Sequence, residues 1–161
     1  HLSIRRQRQM CIRDRPHPGV SVVHNINQAP WPLNDNQFVK MRCQHVIEHI
    51  RELDVLTKEI YRLSQPGAVV DFITPHYSSY ASWGDPTHLH HFALGSIPQL
   101  FDMILGAGKF RVIKNELKFT GSGLDLFGWL IYKYSKKKYE KSEHNLKNSL
   151  CPANNFCTVQ C

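Results

Sequence analysis

Apolar positions between residues 38 and 74 follow first the spacing of a helix and then that of a buried strand. Residues 53–63 repeat an apolar side chain every three or four positions, which predicts an amphipathic helix. Residues 68–74 are almost continuously apolar, as is typical of a parallel strand buried on both faces. A shorter run at 38–43 precedes the helix. The order strand, helix, strand predicts one βαβ unit with parallel strands and a right-handed crossover.

Similar patterns predict elements on both sides of this unit. The β-branched run at 20–26 predicts a strand that ends in polar residues. A helix is expected to begin near Ser96 and to end at the glycines 106 and 108, and an edge strand is expected at 110–117. The side chains expected to be buried together in the core are Leu56, Ile60, Val70 and Phe72.

Length and composition indicate one domain in a reducing, cytoplasmic compartment. The 161 residues suit a single domain, and no apolar run reaches the length of a membrane-spanning helix. The five cysteines are odd in number and match no zinc-module spacing, which favours free thiols. The net charge of +7 is concentrated at the two ends, a distribution that is typical of solvated tails and does not indicate a nucleic-acid surface.

The two ends differ from the middle of the chain. Residues 1–18 carry five arginines and no apolar period, so we expect them to be disordered and foreign to the domain, as a translated adapter would be. The first residue is not Met, so we expect the natural start to lie upstream. Residues 19–135 are expected to form the folded domain, and residues 136–161 a basic, disordered tail.

His45, Glu48 and His49 form an H-x-x-E-H pattern. On a helix the two histidines would share a face and bind zinc, with Glu48 as the base of an inverted zinc peptidase. The competing interpretation is a strand-to-helix junction in which Val46 and Ile47 are buried. Such peptidases need a third, acidic ligand downstream, and none is evident. The peptidase is therefore the less favoured hypothesis, and we expect no resident metal.

A long loop follows the carboxyl end of the predicted buried strand. Residues 76–92 contain four histidines and several aromatic side chains. Ligands bind at this edge of open α/β sheets, and long ordered loops are often functional. The sequence therefore predicts a ligand-facing loop, with a metal site and a purely structural loop as the alternatives.

Five motifs in this region resemble those of one enzyme family. They are P-W-P-L-N-D-N at 30–36, H-V-I-E-H at 45–49, K-E-I-Y-R-L-S-Q-P-G at 58–67, P-H-Y-S at 75–78 and D-P-T-H-L-H-H-F at 85–92. In this order they resemble the class I S-adenosylmethionine-dependent methyltransferases, and most closely the methyltransferase type 11 domain family. The resemblance covers about residues 20–120. It implies a Rossmann-like α/β sheet and methyl transfer from S-adenosylmethionine.

The chain also departs from the family pattern. The family's glycine-rich cofactor motif and first strands precede the matching region, and here only the arginine-rich stretch precedes it. We therefore expect an incomplete sheet, the C-terminal portion of an N-terminally truncated methyltransferase. Asn25 and Val39 stand where the family prefers aspartate. These departures keep a non-catalytic Rossmann-like binding module as an alternative.

The resemblance implies one set of cofactor-binding residues and one set of catalytic residues. The adenine would lie at Asn25 and Ile26. The methionyl part would lie near Arg42, Cys43 and Gln44. The catalytic, substrate-facing residues would be His45, His76 and His88. The implied acceptor is a small or lipid-linked molecule and not a nucleic acid, and this fragment alone is expected to bind S-adenosylmethionine weakly and to be inactive.

Overall fold

The computed structural model describes residues 2–6, 8–13, 18, 20–118, 130, 133–134 and 154–161, with side chains from residue 18 onward except at 154–156. Within these residues one sheet of seven strands is formed. The strands are β1 (Leu2–Arg6), β2 (Arg8–Arg13), β3 (Val22–Val23), β4 (Phe38–Gln44), β5 (Ser64–Pro75), β6 (Arg111–Lys118) and β7 (Asn154–Gln160). The helices are α1 (Leu53–Leu63), α2 (Tyr80–Trp83) and α3 (Ser96–Leu105). No described helix is long and apolar enough to cross a membrane.

The predicted βαβ unit is confirmed. Strands β4 and β5 pair in parallel, with Met41 opposite Val70 and Cys43 opposite Phe72, and α1 connects them. The strand β5 begins directly after α1 and includes Pro66 and Gly67. Gly67 lies within it at a φ of +81°, a left-handed conformation that glycine adopts without steric cost. The handedness of the crossover stays a prediction.

The expected core is also present. Leu56, Ile60, Val70 and Phe72 are at most 1% exposed and belong to one apolar cluster. The helix α3 adds Phe101, whose ring meets Phe72 edge-on at 5.4 Å between centroids. The predicted α3 boundary is confirmed, because Gly106 follows the helix with a φ of +88°.

Parts of both ends form strands, where the sequence analysis expects disorder. Residues of β1 and β2 form a hairpin, and β1 pairs antiparallel with β4. At the other end β7 pairs with both β5 and β6, and it buries Cys157 and Val159. The physical reason is that strand edges offer unpaired backbone groups, which these segments satisfy. Whether residues 1–18 are foreign to the domain, and where its boundaries lie, stays a prediction.

The strand order β3-β2-β1-β4-β5-β7-β6 places several loops at one edge. Strand β3 is parallel to β2, while β1 is antiparallel to both β2 and β4. It follows that β3, β4 and β5 run in the same direction. The segments that follow these three strands therefore meet at one edge of the sheet, which we call the carboxyl edge.

An ionic network centred on the buried Glu59 joins α1 to the proline-rich corner at residues 30–36. The carboxylate of Glu59 accepts hydrogen bonds from the backbone N–H of Trp31 (2.8 Å) and from the guanidinium of Arg62 (2.6 and 3.0 Å). Arg62 also donates to the carbonyl oxygens of Trp31 and Leu33 and pairs with Asp35. This network connects the motifs at 30–36 and 58–67 in the folded chain.

Candidate functional site at the carboxyl edge

The H-x-x-E-H segment is a junction between a strand and a short helix. His45 follows β4 with a φ of +50°, and its N–H donates to the carbonyl of Ile73 at 2.8 Å. A 3₁₀ helix (Ile47–His49) follows, with Val46 and Ile47 buried. The two histidines therefore do not share the face of an α-helix, because His45 lies in left-handed backbone before the helix begins. The peptidase geometry is wrong, and the junction interpretation is confirmed.

Glu48 is the central polar group of this edge. Its side chain is 1% exposed, and its carboxylate accepts from the hydroxyl of Thr74 at 3.0 Å and from Nδ1–H of His45 at 3.3 Å. Its backbone carbonyl accepts from the N–H groups of Leu89 (2.8 Å) and His90 (3.2 Å). Glu48 thus joins the ends of β4 and β5 to the histidine-rich loop. The sequence pattern by itself suggests Glu48 only as a peptidase base.

The histidine-rich loop holds its predicted residues in different environments. The ring of His76 is buried, and its Nδ1 accepts from the backbone N–H of Ser78 at 3.3 Å. The side chain of His88 is 6% exposed, and its Nδ1–H donates to the carbonyl of Ser82 at 3.0 Å. The ring of His88 meets His49 edge-on, with 4.6 Å between centroids. The structure therefore groups His45 and His88 around Glu48 and keeps His76 below the surface.

The D-P-T-H motif forms a tight turn beside His49. The carboxylate of Asp85 accepts from the backbone N–H of Thr87 at 2.8 Å and from its hydroxyl at 2.6 Å. These two hydrogen bonds lower the pKa of Asp85 below its usual value. Because the Thr87 hydroxyl donates to Asp85, its oxygen and the Thr87 carbonyl both accept from Nδ1–H of His49, at 3.0 and 3.2 Å. The turn therefore fixes the orientation of the His49 ring.

The predicted cofactor residues at the end of β4 alternate between the two faces of the strand. Arg42 and Gln44 are exposed, whereas Cys43 is fully buried. Burial raises the pKa of the Cys43 thiol far above its ordinary value, so it stays protonated and faces the core. Of the three, Cys43 therefore offers a ligand only its backbone.

The predicted adenine residues lie in the loop after β3. The Asn25 side chain is exposed, and its oxygen accepts from the backbone N–H of Asn27 at 3.1 Å. Ile26 is 8% exposed. Asn27, which the sequence analysis missed, accepts from the backbone N–H groups of Arg51 and Glu52 at 2.9 and 3.1 Å. This amide connects the loop after β3 to the segment that follows the 3₁₀ helix, so the two belong to one edge.

The direction of β1, the strand beside β4, limits which backbone turns can lie at the carboxyl edge. Leu2 lies opposite Cys43, so β1 begins at the carboxyl edge and its connection to β2 lies at the other edge. A glycine-rich turn after a strand beside β4 is therefore absent from the described residues.

A separate cleft lies at the opposite edge of the sheet. It has a volume of about 470 Å³ and is lined by the end of α1, the start of β5, Lys109 and Cys161. Arg62 in its wall is already paired with Glu59 and Asp35. None of the predicted site residues lines this cleft, so it is separate from the candidate site.

Comparison with known proteins shows similarity in structure. No protein-family model matches the chain, and no characterised protein matches it in sequence. The structure is similar to S-adenosylmethionine-dependent methyltransferases from Archaeoglobus fulgidus (16% identity, TM-score 0.53) and Mesorhizobium loti (13%, 0.54). It is also similar to one from Thermotoga maritima, described as a possible histamine N-methyltransferase (14%, 0.56).

The chain matches only part of these structures. The alignments cover 80, 91 and 88% of this chain and 62, 72 and 64% of the three proteins, in the same order. The chain thus spans less than two thirds of the Archaeoglobus and Thermotoga proteins. The α/β fold is that of the class I S-adenosylmethionine-dependent methyltransferases, as the motifs indicated, and its sheet is incomplete.

Proposed function

We propose that this chain is part of an enzyme that transfers a methyl group from S-adenosylmethionine to a small or lipid-linked acceptor. The observation that carries the proposal is the carboxyl edge, where the segments after β3, β4 and β5 converge in a methyltransferase fold. Ligands of open α/β sheets bind at such an edge. The description of the Thermotoga neighbour, which names a small amine, supports a small acceptor.

The cofactor would extend along the edge from the loop after β3 to the end of β4. Asn25 and Ile26 would contact the adenine, and the exposed Arg42 and Gln44 would lie near the methionyl part, together with the backbone of Cys43. When bound, S-adenosylmethionine supplies an electrophilic methyl group on a sulfonium. The protein's contribution to such a displacement is mainly to position the acceptor in line with that methyl group.

His45 has the surroundings of a general base on the acceptor side. Its side chain is 44% exposed, and its Nδ1–H donates to the buried carboxylate of Glu48. This hydrogen bond would hold the proton on Nδ1 and leave Nε2 to accept a proton from a hydroxyl or amine. His88 would line the part of the edge where the acceptor binds, and the buried His76 would pack beneath the histidine-rich loop.

A non-catalytic binding module is the second candidate. It is favoured by the antiparallel direction of β1, which leaves the described part of the edge without a glycine-rich turn. Such a module would bind the same class of ligand at the same edge without turnover.

The proposal is tested by amide chemical shifts of the ¹⁵N-labelled chain on addition of S-adenosylhomocysteine at several millimolar. We expect the shifts to change at residues 25–27 and 42–45 and to stay constant at β6. Asn25→Ala should reduce the changes in the first group, whereas His24→Ala serves as a matched control in the same loop. Changes scattered over the surface, or none at saturating ligand, would contradict the assignment of this edge.

A further inference from the structure

Three potential metal ligands meet at the carboxyl edge, although the sequence analysis expected no metal. Glu48 and His49 come from the 3₁₀ helix, and His88 comes from the loop some 40 residues later. One ligand atom from each lies within 4.8 Å of the other two. The contact between the His49 and His88 rings, at 4.6 Å between centroids, is part of the same arrangement.

The hydrogen bonds of both histidines fix the tautomer that a metal requires. In each ring Nδ1–H donates to a backbone carbonyl, that of Thr87 for His49 and that of Ser82 for His88. The lone pair of each ring is then on Nε2. Metal-binding histidines almost always donate their other ring N–H to a carbonyl or carboxylate, which orients the ring and raises its basicity.

The third group is a buried carboxylate. Glu48 is 1% exposed, and its carboxylate receives hydrogen bonds from Thr74 and His45. Among the described residues no lysine or arginine forms an ion pair with it. A buried carboxylate is costly without a compensating positive charge, and a divalent cation would supply it.

We propose that Glu48, His49 and His88 form a site for a divalent transition-metal ion, with Zn²⁺ as the best fit. Two imidazole nitrogens and one carboxylate oxygen are a donor set typical of zinc, whereas Mg²⁺ and Ca²⁺ prefer oxygen ligands alone. Three protein ligands leave a fourth position open to water or to a ligand. Asp85 lies next to the site, with an oxygen 3.8 Å from Nε2 of His88. The site shares Glu48 and His88 with the acceptor side of the proposed methyl transfer, and metal binding is measured without reference to that activity.

The test measures binding of Zn²⁺ to the full 161-residue chain after dialysis against a chelator. We expect one equivalent by elemental analysis and calorimetry. His88→Ala and His49→Ala should each weaken binding by at least about tenfold, since each removes one of three ligands. His91→Ala is the matched control from the same loop, because the His91 ring stacks on Trp83 outside the cluster, and it should bind like the parent chain.

Cobalt substitution and thermal melting distinguish metal binding at this site from metal binding by other side chains, such as the cysteines. The Co²⁺ form should show the visible bands of tetrahedral N and O ligation without a thiolate charge-transfer band, which excludes the cysteines. Both ligand variants should lose the metal-dependent increase in Tm, measured against the Tm of the same variant in chelator. Absence of stoichiometric binding, a thiolate band, or unchanged affinity in both variants would overturn the proposal.

Discussion

The pair of Glu59 and Arg62 shows how much one buried carboxylate organises in this chain. The side chain of Glu59 lies on α1 and is almost fully buried, since Glu59 is only 5% exposed. Burial by itself raises the pKa of Glu59, but the hydrogen bonds from Arg62 and Trp31 outweigh it and lower the pKa overall. The same hydrogen bond to Glu59 raises the pKa of Arg62.

Glu59→Gln should therefore destabilise the fold. The substitution keeps the size of the side chain and removes the charge that Arg62 and the Trp31 N–H bind, at an expected cost of about 2–3 kcal/mol. Urea unfolding followed by tryptophan fluorescence measures this cost. Asp54→Asn is the control on the same helix, because Asp54 is exposed and pairs with Lys58 on the surface. A control as unstable as Glu59→Gln would show that the network is not the cause.

The lowered pKa of Glu59 also predicts an acid-dependent loss of stability. A group whose pKa is lower in the folded than in the unfolded state stabilises the fold above its ordinary pKa, which is 4.5 here. That contribution is lost as the pH falls through the folded-state pKa. The unfolding free energy of the parent chain should fall below about pH 4.5, and that of Glu59→Gln should fall less steeply. The same pH dependence of the unfolding free energy in both proteins would contradict Glu59 as the origin of the loss.

At the scale of elements, α1 stabilises the sheet through its buried face. Leu56 is fully buried in the cluster that contains Ile60, Val70 and Phe72. Leu56→Ala should cost about 2–5 kcal/mol, since it removes buried apolar surface and leaves a cavity between helix and sheet. Thermal melting by circular dichroism measures the loss. Met103→Ala on α3, where the side chain is 75% exposed, should leave Tm almost unchanged. An unchanged Tm for Leu56→Ala would show that this face does not pack on the sheet.

At the scale of the whole molecule, the sheet order supports the methyltransferase fold while the direction of one strand limits cofactor binding. Because β1 begins at the carboxyl edge, no backbone turn of the described chain approaches the middle of the cofactor. Calorimetry should therefore give a Kd for S-adenosylmethionine above about 1 mM. This corresponds to a binding free energy weaker than about 4 kcal/mol. Micromolar affinity would mean that the edge needs no glycine-rich turn.

Sequence by itself determined the βαβ unit, the α1 and α3 boundaries and the methyltransferase fold. These depend on local periods and short motifs, such as the spacing of Leu56 and Ile60 or the glycine after α3, which act over a few residues. The sequence did not reveal β7. Cys157 and Val159 alternate in a short polar segment, and this pattern indicates a strand only when β5 and β6 are available to pair with it.

The site was decided by tertiary structure. The backbone of His45 is left-handed, so the pair His45 and His49 that the pattern suggested does not share a helical face. The loop from β5 instead brings His88 to His49 and Glu48, held by the N–H groups of Leu89 and His90 on the Glu48 carbonyl. Residues so distant in sequence share no local period. These residues lie together because parallel strands end at the same edge of the sheet, which is a property of the folded sheet.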